Sequence, residues 1–301
     1  MSGADKKVLL NDKVCIITGS NDGIGKETAK EMASYMMRVI LACRNMEKCK
    51  IAAEEIKQAS NNQNVHCMQL DLSSQKSIRT FVEDFKQLNV PLDYLINNAG
   101  IFGTPFAVTE DGYESQVATN HMGPFLLTNL LLPHMSPNGR IVVLASRSHE
   151  RQIIPDFNKL NTIQKDYKPL VVYGQSKLCN VMYAYELQKR LIEKGSNIVV
   201  NSLHPGVVFT NLFNSFGGMP ARAIFTLASP FLTKATESAK ASTALALGVA
   251  PDLQGVKGQY FSVNKRIPSS PFSRDPANWA KLWTLSAEYC KIPEDIQLNK
   301  E

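Results

Sequence analysis

Tyr173 and Lys177, four residues apart in Tyr173-Gly174-Gln175-Ser176-Lys177, can do proton chemistry if the segment is helical. Positions i and i+4 share one face of a helix. An ammonium beside a phenol favours the phenolate and draws down a pKa that starts near ~10. Such a pair is a general acid/base for a reaction at neutral pH, hydride transfer among them. Pairs at this spacing also arise by chance on helix surfaces. The weight comes from their order behind Leu144-Ala145-Ser146, a hydroxyl ending an apolar run, and behind a glycine-rich turn upstream.

That turn is Thr18-Gly19-Ser20-Asn21-Asp22-Gly23-Ile24-Gly25. Its glycines permit a sharp turn and the approach of a pyrophosphate to amides at a helix N-terminus. The spacing is G-x-x-x-G-x-G rather than G-x-G-x-x-G. Leu41-Ala42-Cys43-Arg44-Asn45 follows, with a neutral Cys43 and then a cation where an NAD enzyme would place an acid. A guanidinium there suits a ribose 2′-phosphate, with Lys48 a weaker second cation. Asp71-Leu72 and Asn97-Asn98-Ala99-Gly100 also sit at strand ends, where ligands bind in open α/β sheets. Asp71 is read either as an adenine contact or as a helix cap. Ala99 and Gly100 would let backbone lie against the adenosine ribose.

The elements that must position these residues alternate along the chain. Apolar, β-branched strand runs fall at 14–17, 39–42, 65–70, 94–96, 140–144, 198–203 and 259–262. Helices are expected at 24–34, 47–59, 74–88, 113–134 and 171–193. Near-continuous apolar strands between helices imply an α/β fold, a single doubly wound parallel sheet of about seven strands with helices on both faces. No repeat or linker divides the chain, so residues 1–301 read as one domain.

Composition is ordinary for a globular protein, with 44% hydrophobic and 20% charged residues. The net charge of +6 is interleaved with acids rather than clustered, which argues against a nucleic-acid partner. No apolar run reaches the ~18 residues of a membrane span. The polar N-terminus resembles no signal peptide, so a cytoplasmic location is expected. The six cysteines are scattered and read as reduced thiols, and no metal site is suggested.

Taken together, these motifs resemble the short-chain dehydrogenase/reductase superfamily over nearly the whole chain. The resemblance is to its retinol dehydrogenase-like branch, with relatives of the WW-domain-containing oxidoreductase and protochlorophyllide reductase. It is carried by Val39-Ile40-Leu41-Ala42-Cys43-Arg44-Asn45, Leu70-Asp71-Leu72-Ser73, Asn120-His121-Met122-Gly123-Pro124-Phe125 and Gly258-Gln259-Tyr260-Phe261, and by the 27-residue step from Ser146 to Tyr173. It implies an oxidoreductase using NADP(H) on a carbonyl or alcohol carbon. Tyr173 would be the acid/base and Ser146 would steady the reacting oxygen. Lys177 would lower the Tyr173 pKa and hold the nicotinamide ribose, and Asn120 would anchor a proton-relaying water. The implied cofactor contacts are Gly19, Ser20, Asn21, Gly23, Ile24, Gly25, Arg44, Asn45, Asp71, Leu72, Asn98, Ala99, Gly100, Tyr173 and Lys177, then Pro205, Gly206, Val208 and Thr210 of a nicotinamide-holding turn. The helices around Asn120 and Tyr173 are the dimer faces of many such proteins, others being monomers.

Two alternatives share these motifs: a cofactor-binding scaffold or redox sensor with little turnover, and an enzyme of another class on the same sheet. Residues 212–233 are apolar and read as a lid over a lipophilic substrate (a retinoid, steroid or long-chain aldehyde) or as a helix packing on its own domain. Isolated His121 and His204 are expected to be structural, and His149, just beyond Ser146, is read as a loop residue or, alternatively, as one that reaches substrate. The first helix ends Ser34-Tyr35-Met36-Met37 where relatives have glycine, and a left-handed turn at Met37 would cost on the order of 1 kcal/mol. Arg147, a charge where apolar residues are more usual, either faces solvent or narrows the substrates accepted.

Overall fold

The apolar runs form strands because each is buried on both faces. In the computed structural model, which describes residues 9–154, 156–206, 208, 233–248, 253 and 255–298, alternate residues of each run enter two separate cores. Ile16, Ile40, Leu95, Ile141 and Val200 point to one face, and Ile17, Leu41, Ile96, Val142 and Leu203 to the other. The strands are β1 (Val14–Thr18), β2 (Arg38–Cys43), β3 (Val65–Gln69), β4 (Leu92–Asn97), β5 (Met135–Leu144), β6 (Val199–His204), β7 (Tyr260–Ser262) and β8 (Lys265–Arg266). They form one sheet in the order β3-β2-β1-β4-β5-β6-β7-β8, parallel except for β7 with β8. The chain reverses its winding beside β1, which pairs with both β2 and β4, and a crevice opens there at the strands' carboxyl ends. The doubly wound sheet expected from the sequence is present, with the two-residue β8 added at its edge.

Helices α1 (Gly23–Ala33) and α2 (Met46–Ser60) pack on one face with α7 (Ala235–Leu247). Asp22 caps α1 by accepting from Gly23 N, and Asn45 caps α2 by accepting from Lys48 N at 2.9 Å. On the other face lie α3 (Gln75–Gln87), α4 (Ser115–Val117), α5 (Gly123–Leu131), α6 (Pro169–Glu193) and α8 (Pro276–Cys290). Trp283 of α8 packs edge-on against Phe125 and stacks on Tyr183, with the Arg190 guanidinium 4.4 Å above it. Of the two helices expected to carry a dimer, α5 and α6, one face is thus covered by the chain's own α8.

The long helix expected at 113–134 runs from Ser115 to His134, with a π turn interrupting its α pattern. Between α4 and α5 the residues Ala118–Met122 form a π turn, closed by Gly123 N–H donating to the Ala118 carbonyl five residues back. Pro124 explains the widening. It offers no N–H, and its ring crowds the carbonyl four residues earlier, that of Asn120. Gly123 cannot be larger, since a Cβ there would fall on the Leu72 carbonyl oxygen.

Two other expectations are corrected. The left-handed residue after α1 is Met36, with φ of 67°, because Met37 is needed in the core and is fully buried. Cys49 and Cys67 form a disulfide, their Cα atoms 6.0 Å apart, where α2 crosses β3. A separation of 18 residues carried no signal of that pairing. Cys15, Cys43, Cys179 and Cys290 are free and buried.

Candidate active site

The crevice is a cavity of about 820 Å³ running from the α2 end of β2 to the side chains of α6. At its centre is the glycine turn, locked to the end of β4. The Thr18 hydroxyl accepts from Asn98 N and Ala99 N, both at 3.0 Å, and Asn98 Nδ2 donates to the Thr18 carbonyl at 2.8 Å. Gly19 adopts φ of +64°, and a Cβ on it would stand 2.9 Å from that of Ala99. A Cβ on Gly25 would fall on Asn98 Nδ2 and lie 2.5 Å from the Gly19 carbonyl. Gly19, Asn21, Gly23, Ile24 and Gly25 line the cavity at the start of α1.

At one end Arg44, Asn45 and Lys48 form an exposed rim. Asn45 spends its side-chain oxygen on the α2 cap. Asp71 and Leu72 line the adjoining wall, where Asp71 Oδ1 accepts from Ser73 N at 2.9 Å and Ser73 Oγ at 2.6 Å. Asp71 thus serves a local turn as well as facing the cavity, while the α3 cap is Ser74. Ser20 behaves differently from its neighbours. It is fully buried, donates to the Ile17 carbonyl at 2.8 Å and approaches Cys43 Sγ, so it is absent from the lining.

The opposite end holds Tyr173 and Lys177, both buried, with Ala99 and Gly100 beside them. Ser146, two residues beyond β5, lies close enough to the Tyr173 phenol to draw its pKa down, and its Oγ donates to Ser148 Oγ at 3.2 Å. Lys177 Nζ donates to the Leu144 carbonyl at 3.2 Å and stands 5.8 Å from the Tyr173 ring centre. Asn120, in the π turn, accepts from Ile101 N at 2.7 Å and donates to the Ile101 carbonyl at 2.9 Å and to Ser176 Oγ at 3.0 Å. Where a Gly100 Cβ would be, Asn120 Oδ1 lies 3.1 Å away and Lys177 Nζ 3.3 Å away. The four expected catalytic side chains do converge on one spot.

The electrostatics differ from the sequence expectation. Burial pushes the Tyr173 phenol up to about 12, against which the nearby Ser146 hydroxyl acts downward. Burial also pulls Lys177 down to about 8. Desolvation governs both groups, and the protein alone does not make Tyr173 more acidic.

Of the expected nicotinamide turn, Pro205 lines the cavity. Gly206 and Val208 do not. Gly206 adopts φ of +92° and packs against Thr233 too closely for a side chain. Thr210 and the expected lid, apart from Thr233, lie outside the described residues. His121 is buried against Ser286 Oγ at 2.9 Å and pushed down to about 4 by burial, as is His204. Among the described residues no group of His, Cys, Asp and Glu is arranged to hold a metal. His149 is not in an open loop but fully buried in a 3-10 turn, and Arg147 faces solvent beside Glu150. The sequence reading missed Thr18, whose hydroxyl joins two turns that line the cavity, and Phe102, which lines the cavity with its ring edge-on to Tyr173 at 4.7 Å. The position of Thr18 directly before Gly19 was the only signal for the first. Nothing marked the second.

Comparison with known proteins is consistent with this geometry. The family model for short chain dehydrogenase matches residues 13–156. The chain is 43% identical over 281 residues to short-chain dehydrogenase TIC 32 B, chloroplastic, of Brassica napus, covering 90% of this chain and 86% of that one. It is 42% identical to retinol dehydrogenase 13 of Homo sapiens, covering 93% and 85%, and 40% identical to the WW domain-containing oxidoreductase of Danio rerio, covering 92% and 68%. Among solved structures, an uncharacterized protein from Mycobacterium Paratuberculosis superposes with a TM-score of 0.74 at 29% identity, over 95% of this chain and 96% of that one. The fold is shared with actinorhodin polyketide ketoreductase at a TM-score of 0.66 and 22% identity, over 89% and 100%.

The buried ammonium has a measurable consequence. The folded pKa of Lys177, about 8, lies below the ~10.4 of a free lysine, so between those values the unfolded chain binds the extra proton. Its burial penalty is therefore complete below about pH 8 and fades as pH rises toward ~10. Lys177→Met should stabilise the protein at neutral pH by on the order of 1–3 kcal/mol, and lose that advantage at alkaline pH. Denaturant unfolding across pH tests this. A variant less stable than wild type at pH 7, or a difference that ignores pH, contradicts it.

Proposed function

Because this chain belongs to the short-chain dehydrogenase family, we propose that it is an NADP(H)-dependent oxidoreductase acting between a nicotinamide and the carbonyl or alcohol carbon of a lipophilic substrate. The observation that carries this reading is that Tyr173 and Lys177, with Ser146 beside the Tyr173 phenol, line the buried end of a cavity whose other end carries exposed cations. The cavity fits a dinucleotide. Its volume is sufficient, and its middle is lined by the glycine turn that opens α1, packed so closely that a Cβ on Gly19 or Gly25 would collide with Ala99 or Asn98. The amides that open α1 would hold the pyrophosphate, Arg44 the 2′-phosphate and Asp71 the adenine, whereas Gly100, expected from the sequence to lie with Ala99 against the adenosine ribose, stands beside Lys177 and Asn120 at the other end. Lys177 would hold the nicotinamide ribose, with Pro205, Gly206, Val208 and Thr210 near the carboxamide.

When bound, the nicotinamide supplies or accepts the hydride. Tyr173 OH gives a proton to the substrate oxygen in reduction and takes one in oxidation. At a pKa of about 12 it is fully protonated at neutral pH, which suits the donor role. Ser146 Oγ, beside the phenol, donates to the same oxygen as negative charge builds there. Lys177 places its ammonium where the phenolate left behind would otherwise be unscreened. Asn120 fixes the Ile101 backbone and anchors a water through which Tyr173 and Lys177 recover protons. Ile101, Phe102, Leu144 and Ala145 give the walls near Tyr173 an apolar character that supports a lipophilic substrate, as does the similarity to a protein named retinol dehydrogenase. The same reading treats the chain as one catalytic domain in the cytoplasm. Among the described residues no helix is long and apolar enough to cross a membrane.

The reading is tested by following NADPH absorbance with a panel of aldehydes and ketones. Oxidation of NADPH by none of them counts against it. Tyr173→Phe should lower turnover by about 10²-fold or more while NADPH binding survives, since only the transferable proton is lost. Turnover within about threefold of wild type removes Tyr173 from the mechanism. For substrate class, kcat/KM should climb from acetaldehyde to decanal by up to roughly fourfold per buried methylene, and a flat profile sinks the lipophilic pocket.

Cofactor choice rests on Arg44. Arg44→Ala should weaken NADPH by about tenfold, and NADH far less, because only the 2′-phosphate makes charge-assisted bonds to a guanidinium. Arg44 is exposed, so added salt should narrow the preference in wild type. Equal dissociation constants for the two cofactors in wild type overturn this assignment.

A further inference from the structure

Ser146 can steady a reacting oxygen only if its own backbone is held still, and the structure supplies a holder outside the Ser-Tyr-Lys set. The 3-10 turn Arg147–Arg151 starts directly after Ser146, and the fully buried His149 folds back over it. His149 Nδ1 lies 2.7 Å from the Ser146 carbonyl oxygen, which also accepts from His149 N at 3.1 Å. On the far side of the ring, Nε2 lies 3.2 Å from Ser270 N. A backbone N–H can only donate, so Nε2 carries the lone pair and Nδ1 carries the proton that reaches Ser146. The ring is pressed edge-on against Tyr260 of β7, centres 4.9 Å apart. Meanwhile Ser148 N donates to Ser146 Oγ at 3.2 Å, so the serine is gripped at both its carbonyl and its hydroxyl.

The far end of this contact is itself anchored. Ser270 Oγ and Ser273 Oγ are 3.1 Å apart, Ser273 Oγ donates to Ser269 Oγ at 2.8 Å, and Ser269 Oγ is 2.8 Å from the Tyr185 phenol. Tyr185 belongs to α6, the helix that carries Tyr173 and Lys177. Trp279 Nε1 donates to the Ser273 carbonyl at 2.6 Å and ties the same segment to α8. A closed path of hydrogen bonds therefore runs from Ser146 through His149 and buried serines back to α6. It spans the two elements whose separation sets the distance between Ser146 and Tyr173.

We propose that His149 is a positioning residue, a neutral Nδ1–H latch that hangs the Ser146 turn on the Ser269–Ser273 segment and thereby fixes Ser146 against Tyr173. The inference rests on the oxidoreductase reading for its effect on turnover, but the latch has a physical signature of its own. Misplacing a reacting group by about 1 Å can cost up to about 10²-fold in rate. His149→Leu keeps the apolar volume and removes both hydrogen bonds. His149→Gln offers an amide that can donate at one end and a carbonyl that can accept at the other.

The experiment compares these two variants in NADPH binding, thermal unfolding and steady-state kinetics with the best carbonyl of the panel. The ring of wild type is read directly by nitrogen NMR on histidine-labelled protein. For His149→Leu, kcat should fall by about tenfold or more while the NADPH dissociation constant stays within about twofold. For His149→Gln, most of kcat should return. A kcat for His149→Leu within about twofold of wild type overturns the proposal, as does a loss that merely follows the unfolded fraction with glutamine no better than leucine. The NMR arm should show a neutral ring protonated at Nδ1, and an Nε2–H or doubly protonated ring at neutral pH overturns the latch. Should wild type reduce no carbonyl, the functional reading fails, and the tautomer still decides the latch.

Discussion

Lys177 keeps an ammonium inside the protein against the Leu144 carbonyl, and several otherwise unrelated features follow from the need to hold that charge in place. The chain near it has to be thin, which is why Gly100 stands where a side chain would crowd both Lys177 Nζ and Asn120 Oδ1. Asn120 has to face this point from a neighbouring helix, and a regular α-helix there would need every backbone group for itself. The π turn loosens that demand, as such turns often do at functional sites. Asn180, one turn beyond Lys177, donates to the same Leu144 carbonyl at 3.1 Å and fixes the acceptor in turn.

The strands were legible because a parallel sheet buried on both faces needs unbroken apolar runs, and little else in a sequence looks like that. Helix starts were legible where a capping side chain stands at the right place, as Ser74 does before α3. The grouping of Ser146, Tyr173 and Lys177 was legible because proton chemistry constrains residue type and spacing together. The interruption at Asn120 was not read, although Gly123-Pro124 stood in plain view, because proline's effect falls on a carbonyl four residues upstream. The left-handed residue was placed one position late for a similar reason, since core burial of Met37 and not glycine statistics decided it.

Contacts between distant segments were the least legible. The Cys49–Cys67 disulfide depends on how α2 lies across β3, and the bond from Ser270 N to His149 Nε2 joins residues 121 positions apart. Neither has a local pattern. Residue type also misled where a side chain does structural work at a ligand-facing motif. Ser20 turns inward to β1, and Asn45 caps α2 while its backbone borders the cavity. A motif names the neighbourhood of a ligand more reliably than it names each contact.

The two ends of the cavity divide binding from chemistry by their access to water. Arg44 and Lys48 remain exposed at the rim, where charges are screened and held with little loss of solvation. Tyr173 and Lys177 lie where water is excluded, so each charge is strongly felt and each pKa is set by burial. Moving the lysine outward would relieve its desolvation and would also take its charge away from Tyr173. That trade accounts for the rigidity packed around α6: Ser176 and Asn120 grip it on one side, Trp283 covers Tyr183 on another, and Tyr185 fastens it to the buried serines. The helix is braced most heavily along the stretch that carries the unfavourable charge.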